Sequence, residues 1–403
     1  MSPSIPLGLY LHFPWCVSKC PYCDFNSHAL REDVPGRDSV PEDAYVASLL
    51  LDLEHQLETQ AALIDGRRVE TIFMGGGTPS LFSPAAISRV IEFVRRSVGI
   101  IATAEITLEA NPGTIERGRF AEYAAAGVNR VSLGAQSFDP AALQILGRIH
   151  SPAETRLAAE ELHAAGIKNF NLDLMYGLPG QDVAQAMRDV ASAIELEPAQ
   201  ISHYHLTLEP GTPFAAKPPP NLPEDELTER MLDAASAALI AAGYRRYEVS
   251  AHARAAARCA HNLIYWQFGD YLGVGAGAHG KLSGIDAASG ELVIRRSTVV
   301  REPRRYQRDP RGSLVWREVD VEQRPFEFML NALRLLEGFT AELFTERTGL
   351  PFARVAPALE GLRDRGFLNI DAVAGAGTAA ERIRPTDRGL RYLNDVLVEF
   401  LPD

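Results

Sequence analysis

Three of the four cysteines stand close together, in Cys16-Val17-Ser18-Lys19-Cys20-Pro21-Tyr22-Cys23, a C-x3-C-x2-C spacing. Thiolates this near one another on one loop can hold three irons of a [4Fe–4S] cubane and leave the fourth iron without a protein ligand. A structural zinc loop is the competing use of clustered thiols. Zinc sites of that kind close with four ligands, whereas Cys259 is remote in sequence and no histidine lies at zinc-knuckle spacing. A second unusual run is Gly75-Gly76-Gly77-Thr78-Pro79. Alone it reads as a turn at a strand end. Beside a cluster loop, residues without a Cβ also let backbone come close to a bound molecule.

The elements that must position these residues follow a regular rhythm. Short apolar runs at Leu7–Phe13, Glu70–Met74, Glu105–Ala110, Arg130–Ala135, Asn169–Met175 and Ile201–Leu208 alternate with amphipathic stretches at Tyr45–Leu63, Pro84–Val98, Ile115–Ala126, Pro152–Ala165 and Val183–Leu196. Alternation of this kind makes βαβ units and a parallel sheet. Six units are two short of an eightfold barrel, so the expected fold class is α/β, an open or partial (β/α)6 barrel, with a doubly wound sheet as the alternative. The unusual residues follow the strands: the cysteines after the first, the glycines after the second, Glu109-Ala110-Asn111-Pro112 at the third, Gln136-Ser137-Phe138 after the fourth, Tyr176-Gly177-Leu178-Pro179 after the fifth and Glu209-Pro210-Gly211 after the sixth. The carboxyl ends of parallel barrel strands meet on one face, where one pocket could collect them all.

The remaining chain sets the boundaries. With 403 residues there is room for a large α/β domain and a smaller second one. We expect a barrel at 1–245, a connecting region at 246–323 and a C-terminal domain at 324–403. The last shows helical segments at Phe326–Leu336, Thr340–Thr348 and Phe352–Arg365, a hairpin, and a final helix Asp387–Phe400, which is the order of a winged helix-turn-helix. A net charge of −12 argues against broad nucleic-acid binding. The arginines crowded between Arg295 and Arg311 read as a solvated loop. Gly275-Ala276-Gly277-Ala278-His279-Gly280 matches G-x-G-x-x-G formally, but without a surrounding βαβ unit it is not a dinucleotide site. Neither a secretory signal nor an apolar run of membrane-spanning length is visible, and clustered thiols outside a disulfide scaffold fit a reducing compartment, so the expected location is cytoplasmic.

The C-x3-C-x2-C loop together with Gly75–Pro79 resembles the radical-SAM superfamily. Within it the chain is similar to the oxygen-independent coproporphyrinogen III oxidase group, through Leu9-Tyr10-Leu11-His12-Phe13-Pro14-Trp15-Cys16, Glu109–Pro112, Leu146-Gly147-Arg148-Ile149-His150 and Asn171–Pro179. The resemblance implies a [4Fe–4S] cluster on Cys16, Cys20 and Cys23 and S-adenosylmethionine (SAM) on its open iron. It assigns SAM contacts to Tyr10, Tyr22, Gly76, Gly77, Thr78, Glu109, Gln136, Arg148 and Asp173, the arginine pairing with the SAM carboxylate. Glu109 and Asp173 would otherwise be read as capping or salt-bridge residues.

Two departures separate the chain from the dehydrogenases of that group. Phe25 stands where they carry a further cysteine, and Cys16 lies close to the N-terminus. Both features resemble the haem-chaperone branch instead, as does His261-Asn262-Leu263-Ile264-Tyr265-Trp266, whose histidine the branch implicates in haem binding. Imidazole is a common axial haem ligand. On the residues alone, His261 reads as a structural histidine beside core aromatics, His279 as a spare ligand candidate and Cys259 as a buried, inert thiol. The branch implies haem as cargo and haem proteins, respiratory enzymes among them, as recipients. A flavodoxin or ferredoxin would supply the electron were SAM cleaved, and no nucleic acid is expected. Any membrane association would be peripheral, and a homodimer is compatible with the sequence. The alternative function is a radical-SAM oxidoreductase acting on a tetrapyrrole.

Overall fold

The structure, a computed structural model, describes residues 5–30, 39–113, 118–286, 289–373 and 380–402. Six strands, β1 (Leu7–Phe13), β2 (Val69–Gly76), β3 (Ile100–Ala110), β4 (Arg130–Gln136), β5 (Asn169–Tyr176) and β6 (Gln200–His205), lie side by side in chain order and all run parallel. Sequential order of this kind belongs to a singly wound barrel and not to a doubly wound sheet. The crossover helices α1 (Glu42–Thr59), α2 (Pro84–Ser97), α3 (Phe120–Ala125), α4 (Pro152–Ala164) and α5 (Val183–Glu195) connect them, and α6 (Asp225–Ala241) follows β6. Local chemistry starts these helices where expected: Ser83 and Ser151 accept N-cap hydrogen bonds with proline at the next position, and Asp182 forms a capping box with Gln185. Gly127 and Gly166 take positive φ just past helix ends. The residues at 114–117, part of the expected third helix, lie outside the described residues.

Among the described residues the sheet has twelve strands and stays unclosed. Beyond β6 it continues antiparallel through Ala251–Ala253 (β8) to Arg245–Arg246 (β7). At its other side Asp270–Val274 (β9) pairs parallel with β1, so the βα rhythm expected to end at Tyr244 yields one more parallel strand. His279–Ile285 (β10), Leu292–Val299 (β11) and Leu314–Glu318 (β12) extend it antiparallel. Asp270 is held in place by Lys281 Nζ and Arg67 Nη1, each at 2.9 Å. The arginine-rich stretch is thus largely regular structure, strands β11 and β12 around a helix at Pro303–Arg308, and not the expected loop. Ile294 is buried in the C-terminal core and Val299 in the barrel core, while Arg296 between them is taken up by Glu327 and the Tyr271 hydroxyl.

The parallel strands sort their side chains by period two. Leu9, Leu11, Ile72, Met74, Leu108, Val131, Leu133, Leu172 and Ile201 join the aliphatic core shared with the helices. The other face, toward the lumen, is polar: Thr71, Glu105, Thr107, Glu109, Arg130, Ser132, Asn171, Asp173, Gln200 and Ser202. Hydrogen bonds cross the strands there, from Ser132 Oγ to Asp173 Oδ2 (3.1 Å), Asn171 Nδ2 to Ser132 Oγ (2.9 Å) and Ser202 Oγ to Asn171 Oδ1 (3.0 Å). A short helix, α7 (Ala260–Trp266), seals the amino end of that lumen.

The C-terminal part has its own core around Phe328, Phe344, Leu359 and Ile383. Helices at Arg324–Ala332, Ala341–Thr348 and Ala356–Asp364 precede a hairpin of Leu368–Val373 (β14) and Ala380–Pro385 (β15), and Phe339–Thr340 (β13) adds a third strand beside β15. This is the winged-helix-like arrangement. The expected final helix is two, Asp387–Arg391 and Leu393–Val398, broken at Tyr392. The Ala/Gly stretch at 374–379 lies outside the described residues. No helix among the described residues is long and apolar enough to cross a membrane.

Candidate functional site

At the carboxyl end of β1 the chain leaves the sheet and forms the cysteine loop. A two-residue parallel pairing of Trp15–Cys16 with His28–Ala29 closes it. Lys19 Nζ ties it internally, donating to the carbonyls of Phe25 and Ser27 at 3.1 Å each. Asn26 Nδ2 anchors it to the rest of the molecule through the carbonyls of Ala276 and Arg301, both at 2.8 Å. The three thiols are free and half-buried, and each has a hydrogen-bond partner: Thr78 Oγ1 donates to Cys16 Sγ (3.5 Å), Arg148 Nη1 to Cys20 Sγ (3.5 Å), and Ser27 Oγ lies 3.6 Å from Cys23 Sγ. Hydrogen bonds to cluster sulfurs are one of the levers that set a cluster's potential.

The glycine loop follows β2 and is stitched to the cysteine loop. Gly77 N–H donates to the Phe13 carbonyl and Thr78 N–H to that of Trp15, both at 2.7 Å, while Gly76 N–H donates to Glu109 Oε2 at 3.0 Å. A Cβ on Gly77 would lie 2.6 Å from the Trp15 carbonyl oxygen, and Gly76 has φ +109°. The glycines are therefore needed for the approach of the two loops to each other, and their N–H groups are already committed.

A cavity of about 1230 Å3, counting its open mouth, is bounded by Cys16, Cys20, Cys23, Tyr22, Gly76, Gly77, Thr78, Glu109, Gln136, Arg148 and Asp173. All of these were expected at the site from the sequence. The Tyr10 ring lies half-buried among Phe73, His12 and His261. Residues whose part in the site sequence reasoning missed are Asn111, Tyr204, Ser132 and Ser27. Asn111 bridges Arg148 and Thr78, accepting from the arginine and donating to Thr78 Oγ1 at 2.9 Å. Its place in Glu109-Ala110-Asn111-Pro112 was the available signal. Tyr204 donates to Gln136 Oε1, and Gln136 takes φ +66° at a register shift between β4 and β5, which turns its side chain into the cavity.

The electrostatics favour a cationic guest beside a metal cluster. Glu109 and Asp173 share the floor. Burial and the neighbouring Asp173 push Glu109 up to about 7, and burial likewise raises Asp173. A sulfonium or ammonium group between them would restore both to the charged form. Burial, with the neighbouring thiols, also pushes Cys16 up to about 11, so a thiolate there requires a compensating positive charge. Among the described residues no three His, Cys, Asp or Glu side chains close on a single ion. Cys16, Cys20 and Cys23 all line the cavity, and in a cluster each would take a different iron. The residues present fit a [4Fe–4S] cluster with SAM beside it.

His261 lies at the other end of the barrel. It is 1 % exposed, stacked on Phe73 at 5.2 Å, with Nδ1 2.7 Å from Thr71 Oγ1 and Nε2 2.6 Å from the Tyr265 hydroxyl. Burial holds it neutral, lowered to about 3. Both ring nitrogens are thus occupied. The start of α7 is held by Glu105, whose carboxylate accepts from the N–H groups of Ala260 and His261 at 3.1 Å each. Cys259 is buried beside the same carboxylate, its thiol 3.5 Å from Glu105 Oε1. His279 is exposed on β10.

An open parallel barrel with a three-thiol loop after its first strand and a glycine loop after its second defines a radical SAM protein. The family model of the Radical SAM superfamily matches residues 10–192, and that of the HemN C-terminal domain matches residues 319–392. The solved structure of coproporphyrinogen III oxidase (HemN) from Escherichia coli superposes with a TM-score of 0.77 over 99% of this chain and 90% of that one, at 23% identity, which speaks to the fold alone. Two proteins named heme chaperone HemW are similar along the whole length: that of Escherichia coli K12 is 44% identical over 99% of both chains, and that of Haemophilus influenzae is 42% identical over 99% of this chain and 98% of its own. The chain belongs to the HemW family.

Proposed function

We propose that this protein is a haem chaperone, which takes up haem and passes it to recipient haem proteins, with a [4Fe–4S] cluster on Cys16, Cys20 and Cys23 and SAM in the adjoining cavity. The observation that carries the reading is the 44% identity over essentially the full length to a protein named heme chaperone HemW. Phe25 supports it. It is 62 % exposed on the cluster loop and fills the position where a dehydrogenase would have a further cysteine.

When bound, the cluster and SAM would supply one-electron reductive chemistry, with a flavodoxin or ferredoxin as donor were SAM cleaved. Thr78, Arg148 and Ser27 would hold the thiolates by hydrogen bonds. Glu109 and Asp173 would face the cationic part of SAM, and Tyr22 and Gln136 would line its walls. His261 is the haem-ligand candidate. Because a neutral imidazole has one lone pair for a metal and both nitrogens are bonded to hydroxyls, ligation requires the ring to leave Thr71 or Tyr265. We place the protein in the cytoplasm, with any membrane contact peripheral.

The test is anaerobic reconstitution with iron and sulfide, followed by haem titration of wild type and His261→Ala by absorption spectroscopy and transfer to an apo-haem protein. Saturable one-to-one binding with transfer is expected, weakened in the variant. Absence of specific haem binding with the cluster intact would overturn the reading and favour radical chemistry on a tetrapyrrole.

A further inference from the structure

The lumen contains a line of contacts that joins α7 at one end of the barrel to the cysteine loop at the other. Tyr265 and Thr71 hold the two nitrogens of His261. The His261 ring lies against Phe73 and, at 6.5 Å between centroids, against Tyr10, which itself stacks on Phe73 at 6.3 Å. The Tyr10 hydroxyl is 3.0 Å from His12 Nδ1, and His12 Nε2 is 2.9 Å from the Asn26 carbonyl. A carbonyl only accepts, so His12 Nε2 carries the hydrogen, Nδ1 is bare, and Tyr10 must be the donor to it. The directions of both bonds are fixed.

His12 touches both loops of the cofactor site. Its ring covers Gly76 so closely that a Cβ there would lie 2.3 Å from His12 Cε1. Through Asn26 it supports the segment that follows Cys23, and the Asn26 side chain carries the line on to the carbonyls of Ala276 and Arg301. At the other end, α7 is contacted from outside by Arg334 of the C-terminal part, which lies over the Trp266 ring at 4.4 Å. A close-packed lumen does not absorb displacement of one ring without moving its neighbours.

We propose that this line makes His12 a positioning residue for the cofactor pocket and couples the place of the His261 ring to the geometry of the cysteine and glycine loops. The line itself stands on the contacts. That haem is the ligand which moves His261 rests on the chaperone reading. By reciprocity, a ligand that draws His261 away from Thr71 alters the affinity of the pocket for SAM, and SAM alters the affinity for that ligand by the same factor. The H-N-x-x-Y-W segment then serves as a joint: His261 and Tyr265 face the lumen while Trp266 faces the C-terminal part.

Thr71→Val tests the proposal in the full-length protein reconstituted with iron and sulfide. Thr71 is buried far from the cavity wall, and valine keeps its shape while removing the bond to His261 Nδ1. The expected result is full iron content, an altered electron paramagnetic resonance spectrum of the reduced cluster, and SAM binding weakened about three- to tenfold, the worth of one neutral hydrogen bond. Thr71→Ser, which keeps the hydroxyl, restores both. His12→Gln is the second variant, expected to change the spectrum in the same way. An unaltered spectrum and SAM affinity in Thr71→Val and His12→Gln would overturn the coupling. Haem titration separates the two claims. Haem binding that is lost in His261→Ala but leaves the cluster spectrum unmoved overturns the coupling and spares the chaperone reading. No haem binding, with the Thr71→Val effect present, does the reverse.

Discussion

Glu105→Gln probes how the amino end of the barrel is closed. Glu105 reaches from β3 to accept the first N–H groups of α7, and its carboxylate stands 3.7 Å from Arg130 Nε. That distance is too long for a hydrogen bond, and Arg130 Nε has no hydrogen-bond partner among the described residues. The arginine is 1 % exposed, its one side-chain hydrogen bond being Nη2 to Gln200 Oε1 at 3.2 Å. Glutamine preserves the shape, but its single oxygen can accept from only one of the two N–H groups and it removes the charge. The lost attraction is about 4 kcal/mol for unit charges at this distance and an effective dielectric of ~20. Loss of the anion at a helix N-terminus adds ~1 kcal/mol. Since breaking one half of a buried pair typically costs ~3–5 kcal/mol, and the geometry here is loose, we expect about 3 kcal/mol by urea denaturation. Hydrogen exchange should rise across 259–266 before it rises in β2 or β3. The double variant Glu105→Gln with Arg130→Met leaves no buried charge unpaired and should recover at least half of the loss. A cost under about 1 kcal/mol for the single variant, or a double variant that is worse by the sum of its parts, would refute the account of Glu105 as the clamp on α7.

Two further outcomes concern the cavity. In the absence of a bound cation Glu109 is pushed from its ordinary value of 4.5 to about 7, so between those pH values the folded protein keeps a proton the unfolded chain has lost. The penalty is absent below pH 4.5, grows as pH rises, and is complete above 7. Glu109→Gln should therefore raise the stability of the cofactor-free protein above pH 7 by ~1–2 kcal/mol, reduced from about 3 by water in the cavity, and leave it unchanged near pH 4.5. A melting profile in which the variant's advantage is greatest in acid would contradict this. Gly77→Ala places a methyl 2.6 Å from the Trp15 carbonyl oxygen and 2.7 Å from that of Phe13, so the glycine and cysteine loops must separate. SAM affinity measured by equilibrium dialysis should fall at least tenfold. Retention of wild-type affinity would mean the loops are not held as closely as the structure has them.

Much of the site was legible because its signals are local. Cysteine spacing is fixed by what one loop can reach, and the polar lumen is written in every second residue of the strands, as in Arg130, Ser132 and Gln136 or Asn171 and Asp173. What stayed hidden depends on distant chain segments. Strand β9 is five residues long and pairs with β1 from more than 250 positions away, with no crossover pattern before it like those of the first six units. Tyr204 reaches Gln136 from β6 across the intervening β5, and no spacing rule links them. Period two puts Tyr10 on the lumen face, but its ring contact with His261 joins segments 251 positions apart, which no local pattern could show.

The two ends of the barrel answer the same physical problem differently. A lumen lined by Glu105, Glu109, Arg130 and Asp173 cannot be left dry and unpaired, because each isolated charge would cost several kcal/mol. At the amino end the solution is internal: Arg130 faces Glu105, and the N–H groups of α7 complete the carboxylate. At the carboxyl end the carboxylates of Glu109 and Asp173 face each other with raised pKa and wait for a cation from outside. The same polar pattern thus yields a sealed end and a receptive one, and the difference is made by a single short helix. On the proposed coupling, this is how the H-N-x-x-Y-W segment would bear on the cofactor site from the opposite pole. Opening α7 to free His261 would expose Glu105 and Arg130 to water, so the closed form is favoured until a ligand for the imidazole offsets that loss.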